Sequence, residues 1–334
     1  MNLLQGLNTP QREAVMHGNG PLLIFAGAGS GKTRTLTHRI AHLINERNVP
    51  PSRILAVTFT NKAAKEMRER LDGLVGAAAG RIWMGTFHAM CAQMLRINGG
   101  LIGIDPRFNI FDADDAQRLM RDILKTADID SDRYPPSRVL HKISDWKNNL
   151  RDPETALSVA HSPNDRVMAR LYKNYQERLA ASHALDFDDL IGEAVRLLQE
   201  STEAREYWQE RFLHVLIDEF QDVNAAQFRW AQLIAHKHRN ICVVGDDDQC
   251  VAAGTLVQTP HGETPIEELR SGDEVLGAAG RGTTAKARIV STRKRTYNGP
   301  MLCFRTRGGQ ELNVTPNHMC FARLGVRADV HYVY

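Results

Sequence analysis

The sequence predicts an α/β fold: a parallel sheet covered on both faces, broken by an all-helical insertion and followed by a separate all-β segment. Three observations predict it. Strand–helix units repeat through residues 1–100. Strand signals then vanish from 101 to 186, where helical periodicity takes over. After residue 249 the apolar period falls to two and turn residues recur at short intervals.

Residues 21–26 are a short apolar run ending in a Gly-rich turn, and the helix behind it sets Leu36, Ile40, Leu43 and Ile44 on one face. Residues 53–59 form a second strand, and the next helix turns Ala63, Met67 and Leu71 inward. Residues 81–87 and the helix through Met90 and Met94 make a third unit. Each helical crossover returns the chain to the same sheet edge, so the strands must be parallel and buried on both faces. Helical patterns follow over 114–125, 137–148 and 165–181. The sheet resumes at 213–218 and 241–245, joined by a helix carrying Trp230, Leu233 and Ile234. Beyond 249, turns are signalled at Pro260, His261 and Gly262, at Ser271, Gly272 and Asp273, at Asn298, Gly299 and Pro300, and at Gly308 and Gly309. The expected divisions are 1–100, 101–190, 191–249 and 250–334, the first and third being two parts of one domain.

With 334 residues, 43% apolar and 24% charged, the chain can bury two or three cores and is not a disordered one. A net charge of only +3 supplies no global basic field, so contact with nucleic acid must come from a local surface. Five cysteines (Cys91, Cys242, Cys250, Cys303 and Cys320) are odd in number and lack metal-ligand spacing, which fits reduced thiols in a cytoplasmic protein. No run of about 18 apolar residues and no signal-peptide pattern occurs, so no membrane partner is expected.

Ala26, Gly27, Ala28, Gly29, Ser30, Gly31, Lys32 and Thr33 follow a strand and open a helix, the context of a phosphate-binding loop. Glycines let successive N–H groups curl around phosphate oxygens, and the helix N-terminus adds partial positive charge. Lys32 would neutralise the β- and γ-phosphates, and the Thr33 hydroxyl would ligate Mg²⁺. Far along the chain, the strand over 213–218 ends in two adjacent carboxylates. Asp218 would hold the Mg²⁺ shell, and Glu219 would accept a proton from the attacking water. The implied cofactors are ATP and Mg²⁺.

These residues closely resemble superfamily 1 helicases of the UvrD/Rep/PcrA type, from residue 1 to 249. The stretch from Leu7 to Val15 resembles the family's adenine-reading motif, with Gln11 on the base. Residues 26–33 match its phosphate loop, including Ala26 in the first position, and Arg34 would lie near the nucleotide. Thr58 to Ala64 and Gly85 to His88 resemble its DNA-contact motifs. Asp218 to Asp222 resembles the Mg²⁺-carboxylate motif, and Gly245 to Gln249 the start of the motif in which Gln249 senses the γ-phosphate. The resemblance implies a RecA-like domain with an inserted helical subdomain. It also implies ATP-driven 3′-to-5′ movement on single-stranded or partly duplex DNA, in repair or replication restart.

For DNA, Phe59, Phe87 and His88 offer faces for unstacked bases, while Thr60, Asn61 and backbone amides would hold phosphates, with Thr86 part of the same DNA-contact motif as Phe87 and His88. Any one aromatic is as readily read as core; their place at adjacent strand ends, where open α/β sheets bind ligands, points to DNA.

Cys250 interrupts the Gln249 motif. Residues 250–257, 272–276 and 312–318 resemble the opening blocks of an intein, an incomplete Hint-type β segment. Its Cys250 thiolate would attack the Gln249 carbonyl and shift that peptide bond from nitrogen to sulfur. His318 would protonate the leaving nitrogen, and Thr315 would hydrogen-bond the reacting carbonyl. Two origins stay open: a fragment of a longer precursor, or the front half of a split intein that needs a second, C-terminal polypeptide. The second RecA-like domain and its arginines, which contribute about 10³–10⁵ in rate in related enzymes, lie outside the 334 residues. Weak nucleotide binding and residual hydrolysis are the expectation for this chain alone. The competing reading is a non-motor nucleotide- or DNA-binding module with an appended β interaction domain.

Overall fold

The computed structural model describes residues 3–25, 30–245, 253–280, 283–289, 292, 302–305, 311–314, 320–323 and 330–333. The chain divides into two compact units, Met1–Gly245 and Asp246–Tyr334.

In the first unit, α1 (Thr9–Met16) precedes β1 (Leu22–Phe25), α2 (Lys32–Asn45), β2 (Ile54–Thr58), α3 (Asn61–Val75), β3 (Trp83–Thr86) and α4 (Phe87–Asn98). A helical stretch then runs from β4 (Asn109–Phe111) through α5 (Ala113–Thr126), α6 (Pro136–Asn148), α7 (Pro153–Ser158) and α8 (Pro163–Ala181) to β5 (Ala184–Asp186). The chain re-enters the sheet through α9 (Phe187–Glu200), α10 (Thr202–Arg211), β6 (His214–Ile217), α11 (Ala225–Ala235) and β7 (Ile241–Gly245). The main sheet has the order β1-β7-β6-β2-β3, parallel throughout.

Alternation along the strands divides the core. Leu55, Val57, Val215 and Ile217 pack with α4, α9, α10 and α11 on one face. Ile54, Ala56, Leu216, Cys242 and Val244 pack with α2 and α3 on the other. Successive residues of a strand point to opposite faces, so β2 and β6, buried along their whole length, have no solvent side. Of the expected helix faces, Leu36, Ile40, Leu43, Met67 and Leu71 are buried, while Ile44 and Ala63 at their margins are half-buried.

Between 101 and 186 the expectation of no strands needs correction. β4 and β5 pair in parallel where the chain leaves for the helices and where it returns. Three residues each, with Asn109 and Ile110 exposed, carry no periodic signal. The inserted helices own a separate core from Ala116 to Ala184, including Trp146 stacked on Tyr172. α9 belongs instead to the main core through Leu190, Ile191, Ala194 and Val195.

In the second unit the described strands pair as antiparallel hairpins: β8 (Leu256–Thr259) with β9 (Gly262–Pro265), β10 (Glu274–Gly280) with β11 (Thr283–Arg288), β12 (Leu302–Arg305) with β13 (Glu311–Val314), and β14 (Cys320–Arg323) with β15 (Val330–Val333). Thr259 Oγ1 donates to the Gly262 carbonyl across the first turn, and Gly272 takes φ +99° in the next, which only glycine adopts freely. Gly254 N donates to both carboxylate oxygens of Glu267, at 2.9 and 2.8 Å. Among the described residues no helix is long and apolar enough to cross a membrane.

Candidate functional site

All strands of a parallel sheet end on one edge, so the segments after β1, β2, β3 and β6 emerge side by side. At β1 the turn leads into α2 through Gly31, whose φ of +87° puts it in the left-handed region. A Cβ there would lie 3.0 Å from Gln11 Nε2, so glycine also admits the Gln11 side chain. Gln11 Nε2 donates to the Ser30 carbonyl at 2.9 Å, and Gln11 Oε1 accepts from Asn8 N at 3.0 Å within a capping box. Arg34 is exposed and reaches over Gly6, where an added Cβ would lie 2.8 Å from its Nη2. Ala26, Gly27, Ala28 and Gly29 lie outside the described residues.

Thr33 and Asp218 are brought together across 185 positions of sequence: Thr33 Oγ1 donates to Asp218 Oδ2 at 3.2 Å. Asp218 is 3% exposed. Its backbone N–H extends the sheet ladder to Val57, while Oδ1 accepts from Glu219 N at 3.1 Å. Burial, then the neighbouring Glu219 charge, push the Asp218 carboxyl above its usual range; the Glu219 N–H, Thr33 and the positive charge of Lys32 oppose them. Glu219, two residues beyond β6, takes a left-handed conformation, φ +53° and ψ +46°, at a cost of roughly 1–2 kcal/mol for a residue with a Cβ. Gln221 Nε2 fixes its carboxylate by donating to Oε2 at 2.7 Å.

One buried carboxylate beside one hydroxyl suits a hard divalent cation that shares its remaining ligands with phosphates and water. Among the described residues no cluster of three metal-ligating side chains occurs.

The second group of residues lies after β2 and β3. Thr60 and Thr86 cap α3 and α4, each hydroxyl accepting from the N–H three residues on, Ala63 at 3.1 Å and Ala89 at 3.2 Å. Asn61, on the first turn of α3, is exposed. Phe59 is half-buried and edge-on to Phe87, with ring centroids 5.7 Å apart. Phe87 is a correction to the expected base platform: it is 1% exposed and also packs against Trp230, so its ring supports Phe59 from within the core. His88 is half-buried, its pKa pushed down by burial against the pull of Asp188. It meets Phe187 edge-on at 5.8 Å.

Phe187 is the residue that sequence patterns miss. It is 50% exposed at the start of α9, and its only signal is an aromatic directly after an Asp186 cap. Gln249, Cys250, Thr315 and His318 all lie outside the described residues.

The UvrD/REP helicase N-terminal domain matches residues 7–252. An ATP-dependent DNA helicase PcrA of Staphylococcus epidermidis is 48% identical over 249 residues, covering 75% of this chain and 34% of the relative. The protein of that name from Staphylococcus aureus is 47% identical over the same coverage. The chain thus spans about a third of the length of the curated relatives it matches.

Proposed function

The chain belongs to the UvrD/REP helicase family through its N-terminal domain, and from that premise we propose that residues 1–249 are the ATP-binding part of a 3′-to-5′ DNA helicase. The observation that carries this reading is the Thr33–Asp218 contact, which joins the end of the phosphate loop to the acidic strand end. In the bound complex Lys32 and the α2 N-terminus hold the phosphates, Thr33 and Asp218 hold Mg²⁺, and Glu219 takes the proton of the attacking water. The metal supplies charge neutralisation along the triphosphate. Gln11, steadied by Asn8 and Ser30, reads the adenine, and Arg34 lies beside it. Phe59, Thr60, Asn61, Thr86, His88 and the exposed Phe187 form the track for single-stranded DNA, with Phe87 as its support.

Isothermal titration of the full chain with Mg²⁺·ATP tests this assignment. Lys32→Ala should weaken binding by about tenfold or more; equal affinity in both proteins rejects the phosphate loop.

We further propose that residues 250–334 are the front part of an intein. The family match ends at 252, beside Cys250, and antiparallel hairpins follow. Cys250 Sγ would attack the Gln249 carbonyl carbon and form a thioester. The carbon–nitrogen bond would then break, leaving a protonated amine on Cys250, with Thr315 and His318 assisting. Intact mass after dithiothreitol treatment is the test. Release of residues 250–334, abolished by Cys250→Ala, supports it; an unchanged mass favours an appended β module instead.

A further inference from the structure

Arg39 belongs to none of the motifs above. It lies on the buried side of α2, 2% exposed, and no carboxylate pairs with it among the described residues. Its Nη1 donates to the carbonyls of Ala14 at 2.9 Å, Val15 at 3.4 Å and His17 at 2.8 Å. Its Nη2 donates to the Gly18 carbonyl at 3.3 Å. On its other side stands the Cys242 sulfur of β7, and burial lowers the Arg39 pKa from a very high starting value.

These carbonyls are the C-terminal end of α1. The last carbonyls of a helix have no partner within it and carry the negative pole of its dipole. A helix of eight residues is marginal without tertiary support. The N-terminal end of α1 is closed by the Asn8–Gln11 capping box, and the C-terminal end is closed by Arg39 from another helix. Gln11 is itself the inner member of that box, and its side chain also reaches the phosphate loop through the Ser30 carbonyl. Its amide can both donate to and accept from the edge of adenine, whereas guanine offers acceptors at the matching positions. Such discrimination depends on placing the amide to a fraction of an ångström, and a helix free at one end does not hold that register.

We propose that Arg39 is a positioning residue for base recognition: by clamping the C-terminus of α1 it holds Gln11 in register and sets the preference for adenine over guanine nucleotides without touching either. This rests on the assignment of Gln11 to the base. A lysine in its place keeps the charge but cannot fan donors to four carbonyls from two nitrogens.

The experiment uses the full chain and three variants, Arg39→Met, Arg39→Lys and Gln11→Ala. Binding of ATP, GTP and inorganic tripolyphosphate with Mg²⁺ is measured by titration calorimetry, and protection of the α1 amides by hydrogen exchange. For Arg39→Met we expect α1 amides to exchange about tenfold faster or more. The ATP-to-GTP affinity ratio should fall by about tenfold while tripolyphosphate binding stays unchanged, with Arg39→Lys intermediate. A merely structural arginine would weaken all three ligands together, and that result overturns the proposal. So does unchanged α1 exchange, or an unchanged ATP-to-GTP ratio in both Arg39 variants when Gln11→Ala loses it. If Gln11→Ala itself keeps the ratio, the assignment of Gln11 fails and the role of Arg39 in recognition falls with it. Should Arg39→Met not fold, Arg39→Lys carries the same comparison.

Discussion

Two acidic pairs in the first unit, one buried and one with a half-buried member, are built on opposite terms. At the root of the helical insertion, Asp186 and Asp189 close on Lys147, whose Nζ lies 2.6 Å from Asp186 Oδ2 and 2.8 Å from Asp189 Oδ1. Tyr175 donates to Asp186 at 3.1 Å and Gln176 to Asp189 at 3.1 Å. Against the cost of burial, the two carboxylates hold Lys147 above its usual pKa. Burial works to raise Asp186, but the lysine charge outweighs it and the carboxyl sits below its ordinary range. Asp189, fully enclosed, is pushed up by burial to about 7. At the sheet edge, Asp218 and Glu219 are adjacent, and burial and mutual repulsion outweigh Lys32, so Asp218 is held above its ordinary range. The first pair carries its cation as a side chain and serves as structure. In the second, burial outweighs the Lys32 charge at Asp218, which suits a site that takes up further counter-charge with its ligand.

The largest effect that separates them comes from Lys147→Met. It leaves two enclosed carboxylates without a cation, and breaking a buried ion network from one side costs about 3–5 kcal/mol. Urea denaturation at neutral pH should show that loss. Because Asn148, the next residue, accepts from Asn224 Nδ2 at 2.7 Å at the start of α11, near-UV signals from both cores should change together. A loss under about 1 kcal/mol would mean that the network is a surface-type pair and would break the comparison.

A third buried ionisable group sharpens it through pH. His214 begins β6, the strand that leads into Asp218, and burial, then Arg39, Arg47 and His238, lower its pKa to about 4. A histidine whose folded pKa lies below its unfolded value of about 6.5 binds fewer protons folded than unfolded in that window. Stability is therefore full above about pH 6.5 and falls as pH drops toward 4, by roughly 2–3 kcal/mol. Thermal unfolding of the parent chain and of His214→Gln between pH 4 and 7 checks the sign. The difference between the two proteins should narrow as the medium is acidified, and a constant difference would remove His214 as the cause.

How far the sequence reveals all this depends on pattern length. The five main strands and the long helices are legible because burial imposes a period over many residues, as in β2 and α2. β4 and β5 are too short and too exposed to show one. Thr33 and Asp218 are legible because phosphate chemistry demands those residue types in those contexts. Lys147 is not: its partners lie 39 and 42 positions away, and a lysine in the last turn of a helix reads as an ordinary solvated complement to the helix dipole. Phe87 misleads for a related reason, since an aromatic at a strand end reads the same whether it faces a base or Trp230. Phe187 escapes notice because its exposure is set by the turn of α9 out of β5, a tertiary fact.

The smallest effect is the most discriminating. Asp218→Asn keeps Oδ1 to accept from the Glu219 N–H and turns an amide NH₂ toward the Thr33 hydroxyl, which can accept from it, while the buried charge is removed. A carboxyl whose folded pKa is raised contributes stability that is complete below its unfolded pKa, about 3.9, and is lost as pH rises through the folded value. The asparagine variant should therefore be more stable than the parent at pH 7, by about 1 kcal/mol, and equal to it near pH 3.5. In the same variant Mg²⁺·ATP should no longer raise the unfolding temperature, whereas in the parent it should. Differential scanning calorimetry with and without nucleotide reads both effects in one series. A variant less stable than the parent without nucleotide would show that Asp218, like Asp186, is held in place by the protein alone, and the contrast between the two pairs would dissolve.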